Sequence, residues 1–273
     1  MCLIFVQHRV RAELPLVVVA NRDERHARPS LGLHRWDDAP HIVAGRDVEG
    51  GGTWLGVSAR GRFAAVTNFR EPMLARSPTA PSRGALVHAF LDATVDTASW
   101  LDSVADEGRR YNGFNLLVHD GHDLGWYSNR GGAARVLEPG LYGLSNHLLD
   151  TPWPKVVHGK ARLGAMLAAP EAPPPSTLID FLRDDRAAED AALPDTGVGL
   201  ARERVLSPMF ITAPDYGTRC STVVLVHADG RIEVTERGYG AMGARGEERT
   251  IAIDEAIARG PAAAPRASSA RLP

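Results

Sequence analysis

Two stretches near the amino terminus constrain this chain most. Met1–Val6 (MCLIFV) and Pro15–Ala20 (PLVVVA) are apolar without interruption, and the segment between them carries His8, Arg9, Arg11 and Glu13. A half-exposed strand alternates apolar and polar side chains, whereas a continuous run of this length needs cover on both faces. The opening hairpin is therefore expected to lie inside a layered structure with material above and below it.

The rest of the chain supports antiparallel sheets with helices packed outside them. Thr53–Ser58 and Arg62–Asn68 form a hairpin around Ala59-Arg60-Gly61, and strands are expected at Phe114–His119, Asp123–Ser128, Ala134–Glu138 and Leu141–Asn146, separated by Gly-containing turns. Late strands are read at Val205–Thr212, Arg219–His227, Arg231–Arg237 and Arg249–Asp254. Helical spacing marks residues 84–93, Thr97–Gly108, Trp153–Ala169 and Thr177–Arg183, the third opened by Pro154, whose missing N–H costs nothing in a first turn. Residues 21–52 and 184–200 read as loop-rich, Arg70–Ser82 as a loop and Ala169–Ser176 as a proline-rich linker. Because strands cluster as hairpins and not as strand–helix–strand units, one α+β domain over 1–259 is expected, followed by a disordered Ala/Pro/Ser/Arg tail at 260–273.

Composition excludes several function classes. Lys plus Arg (31) falls two short of Asp plus Glu (33), so no basic excess exists to neutralise a nucleic-acid backbone. Two cysteines, Cys2 and Cys220, make neither a disulfide scaffold nor a Cys-x-x-Cys zinc site, and a reduced, cytoplasmic protein is expected. The acidic residue ahead of Leu14–Ala20 argues against a secretory signal. No apolar stretch is long enough to span a membrane as a helix. His119 and His122 flank Asp120-Gly121 and read as a hairpin tip, so no metal site is assigned. The nucleophile elbow, the phosphate loop and the dinucleotide fingerprint are all missing, and no cofactor is expected. Oligomeric state leaves no mark in the sequence.

Cys2 then stands out. A small second residue favours removal of Met1, which would leave one residue bearing both a thiol and a free α-amine. With an amine pKa near ~7.7–8.0 and a thiol near ~8.5, the amine can serve as base for its own thiol. The ordinary alternative is a small residue opening a buried strand. Asn21-Arg22-Asp23-Glu24 follows an apolar strand directly and is either a surface turn or a charged strand end presented to a cleft. Asn68 and Asn146 each end a strand, where an amide can donate to an oxyanion or simply cap a turn. Strand alternation sends Cys220 to the face opposite Arg219, into the core.

MCLI at 1–4, ANRDE at 20–24, AGRD at 44–47, GGTWLG at 51–56, TNFR at 67–70, YNGFNLLV at 111–118, YGLSN at 142–146 with TPWPK at 151–155, and YGTRCSTV at 216–223 together resemble the NRDE, or transport and Golgi organisation, family. That family in turn resembles the N-terminal nucleophile (Ntn) hydrolases of the penicillin V acylase and bile-salt hydrolase branch. The resemblance implies a four-layer αββα sandwich and an amide- or thioester-cleaving cysteine nucleophile at Cys2. It implies Asn146 and Asn68 at the oxyanion and Arg219 as a late site arginine. Acylases of that branch place an Asp three residues after an Arg, but here Arg22 and Asp23 are adjacent and Glu24 follows. The partner of the Cys2 amine therefore stays open between the two carboxylates. The other reading is a binding or trafficking module on the same scaffold. Its Asn21, Arg22, Asp23, Glu24, Arg46, Arg70 and Arg219 would hold an anionic ligand, the resemblance suggesting acyl-CoA, lipid or haem. Arginine suits carboxylate and phosphate because its planar fork binds them bidentately.

Overall fold

The computed structural model of the chain describes residues 2–72 and 77–254. Its strands are β1 (Cys2–His8), β2 (Leu16–Arg25), β3 (Ser30–Arg35), β4 (Ile42–Asp47), β5 (Leu55–Ser58), β6 (Phe63–Asn68), β7 (Phe114–His119), β8 (Leu124–Ser128), β9 (Arg135–Leu137), β10 (Gly140–Leu144), β11 (Tyr216–Val226), β12 (Ile232–Tyr239) and β13 (Arg245–Ile253). Its helices are α1 (Gly84–Asp92), α2 (Thr97–Glu107), α3 (Pro154–Leu167), α4 (Pro175–Phe181) and α5 (Leu200–Val205). One sheet has the order β10-β1-β2-β11-β12-β13 and the other β3-β4-β5-β6-β7-β8-β9. Every neighbouring pair is antiparallel.

The two opening runs are continuous because both of their faces are used. Ile4, Val6, Val18 and Ala20 point between the sheets and meet Val57, Ala65 and Leu117 of the second sheet. Leu3, Phe5, Val17 and Val19 point the other way, onto Val156, Leu163, Leu178 and Ile179 of α3 and α4. The outer face of the second sheet is covered by α1 and α2 through Leu86, Phe90, Trp100 and Leu101. The result is a four-layer αββα sandwich. Among the described residues no helix is long and apolar enough to cross a membrane.

The expected hairpins and helices fall close to their observed ranges, with three corrections. Residues 21–52 are not loop-rich: β2 runs on to Arg25, and β3 and β4 follow it. The sequence of β3, SLGLHR, is half polar because β3 is an edge strand, exposed over most of its length. Residues 205–212 are not a strand. Leu206, Met209, Phe210 and Ile211 are buried, but as irregular chain with one isolated bridge from Thr212 to Gly217. Burial without a period cannot be told from a strand by sequence alone. The strand expected through Asn146 ends at Leu144, which leaves Ser145 and Asn146 in the turn that follows. The tail expected at 260–273 lies outside the described residues.

Helix α3 sits close on β1 because Gly159 has no side chain. A Cβ there would stand 2.1 Å from the ring of Phe5, which is fully buried. Gly159→Ala is expected to lower stability by about 1–3 kcal/mol through overpacking, more than the ~1 kcal/mol helix preference for alanine returns. Urea unfolding should show this loss, with partial recovery in Gly159→Ala/Phe5→Leu. A Gly159→Ala protein as stable as wild type would mean the helix retreats without cost.

Candidate active site

Strand register assembles the site. Cys2 lies opposite Arg22 in the β1–β2 pair, and Arg22 lies opposite Cys220 in the β2–β11 pair. Directly opposed residues project to the same side of a sheet, so the three form a row facing the second sheet. At the end of this row opens a cavity of about 410 Å³ lined by Cys2, Arg22, Asp23, Glu24, Arg28, Asp47, Trp54 and Asn68, with Ser82, Arg83 and Gly84 at the start of α1. Cys2 is 8% exposed and its thiol is free. Burial pushes the Cys2 thiol up, against the opposing charges of the amino terminus and Arg22.

The four polar residues 21–24 are a strand end, not a surface turn, and alternation separates them. Asn21 faces the helices, where its Nδ2 donates to the carbonyls of Leu182 and Met209 and its Oδ1 accepts from Ser221 Oγ. It does not reach the cavity. Arg22 stacks over the Trp54 ring at 4.4 Å and reaches Asp47 Oδ2 at 3.5 Å. Its Nη1 has no hydrogen-bond partner among the described residues. Asp47 is held by Arg28 at 2.6 and 3.0 Å and by the Gly50 N–H. Asp23 accepts from Thr218 Oγ1 at 2.7 Å through Oδ1, and its carbonyl accepts from Tyr216 Oη. Burial pushes the Asp23 carboxyl up; the charges of the amino terminus, Lys155 and Arg70 and the Thr218 hydrogen bond act against it. Burial also opposes ionisation of Glu24, but the amino terminus, the Arg25 N–H, Arg22 and Arg28 outweigh it and hold that carboxyl below its ordinary value.

Asn68 and Asn146 are brought together. Asn146 Nδ2 donates to the Asn68 carbonyl at 3.0 Å, and the Arg70 N–H donates to the Asn146 carbonyl at 2.6 Å. Asn68 lines the cavity and Asn146 is buried beneath it. A polar relay fastens this corner to β1: Asn115 Nδ2 donates to Thr67 Oγ1, Thr67 Oγ1 to the Ser145 carbonyl, and Ser145 Oγ to the Cys2 carbonyl.

Three arginines expected at the site are committed elsewhere. Arg46 pairs with Asp38 at 2.7 Å and stacks on Trp36. Arg70 is buried against Glu203 at 2.5 Å and over the Trp153 ring. Arg219 occupies a register shift in β11 and donates to the carbonyls of Arg25 and Arg28, closing the turn after β2. None of the three lines the cavity. Cys220 is buried between the sheets beside Glu236, which accepts from Thr222 Oγ1 and from the Leu33 N–H of the second sheet. Burial pushes both the Cys220 thiol and the Glu236 carboxyl up.

Arg28, Asp47, Trp54, Thr218 and Lys155 were not singled out from the sequence. All lie within or beside the segments that carry the family resemblance, which was the available signal. Lys155, in the first turn of α3, is buried, and its Nζ donates to the Leu206 carbonyl at 2.9 Å. Burial and the neighbouring Arg70 pull its ammonium down to about 8, against Asp23, Cys2 and Glu203.

The chain is similar to solved and curated proteins over nearly all of its described length. It covers 93% of its residues and 94% of the other chain, at 8% identity and a TM-score of 0.52, on the C2A mutant of conjugated bile acid hydrolase from Clostridium perfringens, a likeness of fold. It is 40% identical over 257 residues to the human Transport and Golgi organization protein 2 homolog, covering 87% of this chain and 92% of that one. It is 28% identical over 279 residues to Transport and Golgi organization protein 2 of Drosophila melanogaster, covering 90% and 93%. The family model described as Transport and Golgi organisation 2 matches residues 1–241. On that match and on the identity to the human relative, the chain belongs to the Transport and Golgi organisation 2 family.

Proposed function

We propose that this protein is a cysteine Ntn-type hydrolase that cleaves an amide or thioester bond of a small acyl substrate. The observation that carries the reading is the position of Cys2. Cys2 lines a polar cavity, and the charge of the amino terminus acts on both its thiol and the Asp23 carboxyl. After removal of Met1, the Cys2 α-amine takes the thiol proton and the sulfur attacks the substrate carbonyl. Asn68 and the second N–H of the Asn146 amide take the charge developing on the carbonyl oxygen. The α-ammonium returns the proton to the departing amine or thiol, leaving an acyl thioester on Cys2. Water then attacks this thioester and gives a proton to the α-amine; the carboxylic acid leaves and the thiol is restored. Asp23, buried and held by Thr218, orients the amine. Two free cysteines support a reducing, cytoplasmic setting.

Intact mass tests the reading in two steps. The purified chain is expected to lack Met1. Incubation with a panel of acyl thioesters and activated acyl amides is expected to add one acyl mass to wild type and none to Cys2→Ala. Absence of the adduct in a chain lacking Met1 would overturn the hydrolase reading. The same cavity would then serve an anionic acyl-CoA, lipid or haem ligand without turnover, with Arg22 and Arg28 as its cations.

A further inference from the structure

The two asparagines at the candidate site come from different sheets. Asn68 closes β6, and Asn146 follows β10. Their distances from Cys2 are set by whatever joins the sheets at this corner. Apolar packing is non-directional and does not aim an amide. Hydrogen bonds are directional, and buried side chains supply them here: Thr67, Asn115 and Asn146 are fully buried and Ser145 nearly so. Thr67 lies on the face of β6 that looks toward the first sheet, the face of Ala65. Its hydroxyl donates to the Ser145 carbonyl at 2.7 Å. Asn115, directly opposite Thr67 in the β6–β7 pair, donates its Nδ2 to Thr67 Oγ1 at 3.2 Å. That bond occupies an acceptor site on the hydroxyl oxygen and turns its proton toward Ser145. Asn115 Oδ1 has no hydrogen-bond partner among the described residues. A buried amide answered at one end only costs stability, and what it secures here is the direction of the Thr67 hydroxyl. Ser145 carries the tie onward to the nucleophile. Its Oγ stands 3.3 Å from both the Cys2 carbonyl and Asn146 Oδ1, and shares its one proton between them.

We propose that Thr67 is a positioning residue for the amino-terminal nucleophile: its hydroxyl bridges the two sheets at Ser145 and so fixes the separation between the Cys2 sulfur and the amides of Asn68 and Asn146. This rests on the reading of Cys2 as nucleophile and adds to it the element that holds the oxyanion donors in register with the sulfur. Thr67 is not among the residues that line the cavity. It therefore touches no substrate and acts through the two asparagines.

Two reactions at the same sulfur separate positioning from folding. Attack of Cys2 on a thioester builds charge on a carbonyl oxygen, where the amides act. Displacement of iodide from iodoacetamide forms a thioether and builds no such charge. Acetylation by S-phenyl thioacetate and alkylation by iodoacetamide are both followed at Cys2 by peptide mass. Thr67→Val is expected to be acetylated about 10–100-fold more slowly than wild type, the effect of oxyanion donors displaced by about 1 Å, and alkylated within about twofold of the wild-type rate. Thr67→Ser keeps the hydroxyl and is expected to stay within about threefold of wild type in both reactions. Unchanged acetylation in Thr67→Val would overturn the proposal. So would a parallel loss of acetylation and alkylation, which marks a general loosening of the site. If Thr67→Val does not fold, Ser145→Ala, which cuts the tie at the Cys2 carbonyl, is read by the same two rates. If wild type lacking Met1 is not acetylated, the hydrolase reading falls and the crystal structure of Thr67→Val decides the tie alone. A lengthened distance from Asn146 Nδ2 to the Asn68 carbonyl keeps it, and an unchanged 3.0 Å overturns it.

Discussion

Glu203→Ala is expected to lower the stability of the protein by about 3–5 kcal/mol, the cost of leaving a buried charge without its partner. Arg70 and Glu203 are 2% and 3% exposed in their side chains and 2.5 Å apart. The carboxylate also accepts from the Thr196 N–H and hydroxyl through its other oxygen. Removing it leaves Arg70 with two nitrogens already lacking hydrogen-bond partners among the described residues, close to a second cation at Lys155. The double variant Arg70→Met/Glu203→Met is expected to recover most of the loss, because an apolar pair of similar volume avoids the desolvation both ions suffer. Urea unfolding of the single and double variants checks this. A single variant within about 1 kcal/mol of wild type would show that water reaches Arg70 and that the pair is not a structural element. Arg70 was expected from the sequence to bind a ligand; a large stability loss would account for it by its pairing.

The second large effect concerns acid. His8 at the end of β1 and His119 at the end of β7 meet edge to face between the sheets, with ring centroids 5.6 Å apart. Both are buried. Burial and Arg9 pull His8 down to about 4, and burial and His8 pull His119 down to about 3. An unfolded histidine titrates near ~6.5, so below that pH the unfolded chain binds protons that the native state refuses. Stability contributed by the pair is thus fully present above about pH 6.5 and is lost as pH falls through the window down to about 3. Each pH unit inside that window costs about 1.4 kcal/mol per histidine. The carboxylates of Asp120 and Asp123 face His8 and act against the downward shift without overcoming it. His8→Asn/His119→Asn removes both titrations, and the amide oxygen introduced at position 119 can still accept the Gly121 N–H that His119 Nδ1 accepts now. Unfolding free energy measured from about pH 7 to about pH 4 should fall steeply in wild type and clearly less in the variant. Parallel curves would mean the histidines protonate in the folded state without cost.

Much of the site was legible as residue types and little of it as pairings. Cys2 could be singled out because the chemistry proposed for it depends on its place next to Met1. Asn68 and Asn146 could be named because an amide at a strand end is a local feature. Arg46, Arg70 and Arg219 could not be sorted from Arg22 and Arg28, since an arginine's role depends on which carboxylate or carbonyl the fold brings to it. Asp38, Glu203 and the Arg25 carbonyl claim the first three. The tetrad 21–24 shows the same limit. Its reading as a turn or a strand end turned on whether strands lay on both sides, and β1 and β11 do. Pairing on both sides then directs Asn21 to the helices and Arg22 between the sheets.

What the sequence determined by itself is the layering. Two uninterrupted apolar runs can be satisfied only by cover on both faces, and the hairpin spacing after them makes the sheets antiparallel. It also puts Cys2 next to Met1, the position on which the proposed chemistry rests. Tertiary structure alone decided which charges surround that thiol. Lys155 lies 153 positions from Cys2 and Glu203 lies 133 from Arg70, and no local periodicity encodes such separations. A buried charge is tolerated only where an opposite one is delivered to it, and that delivery is a property of how the two sheets and α3 close on one another.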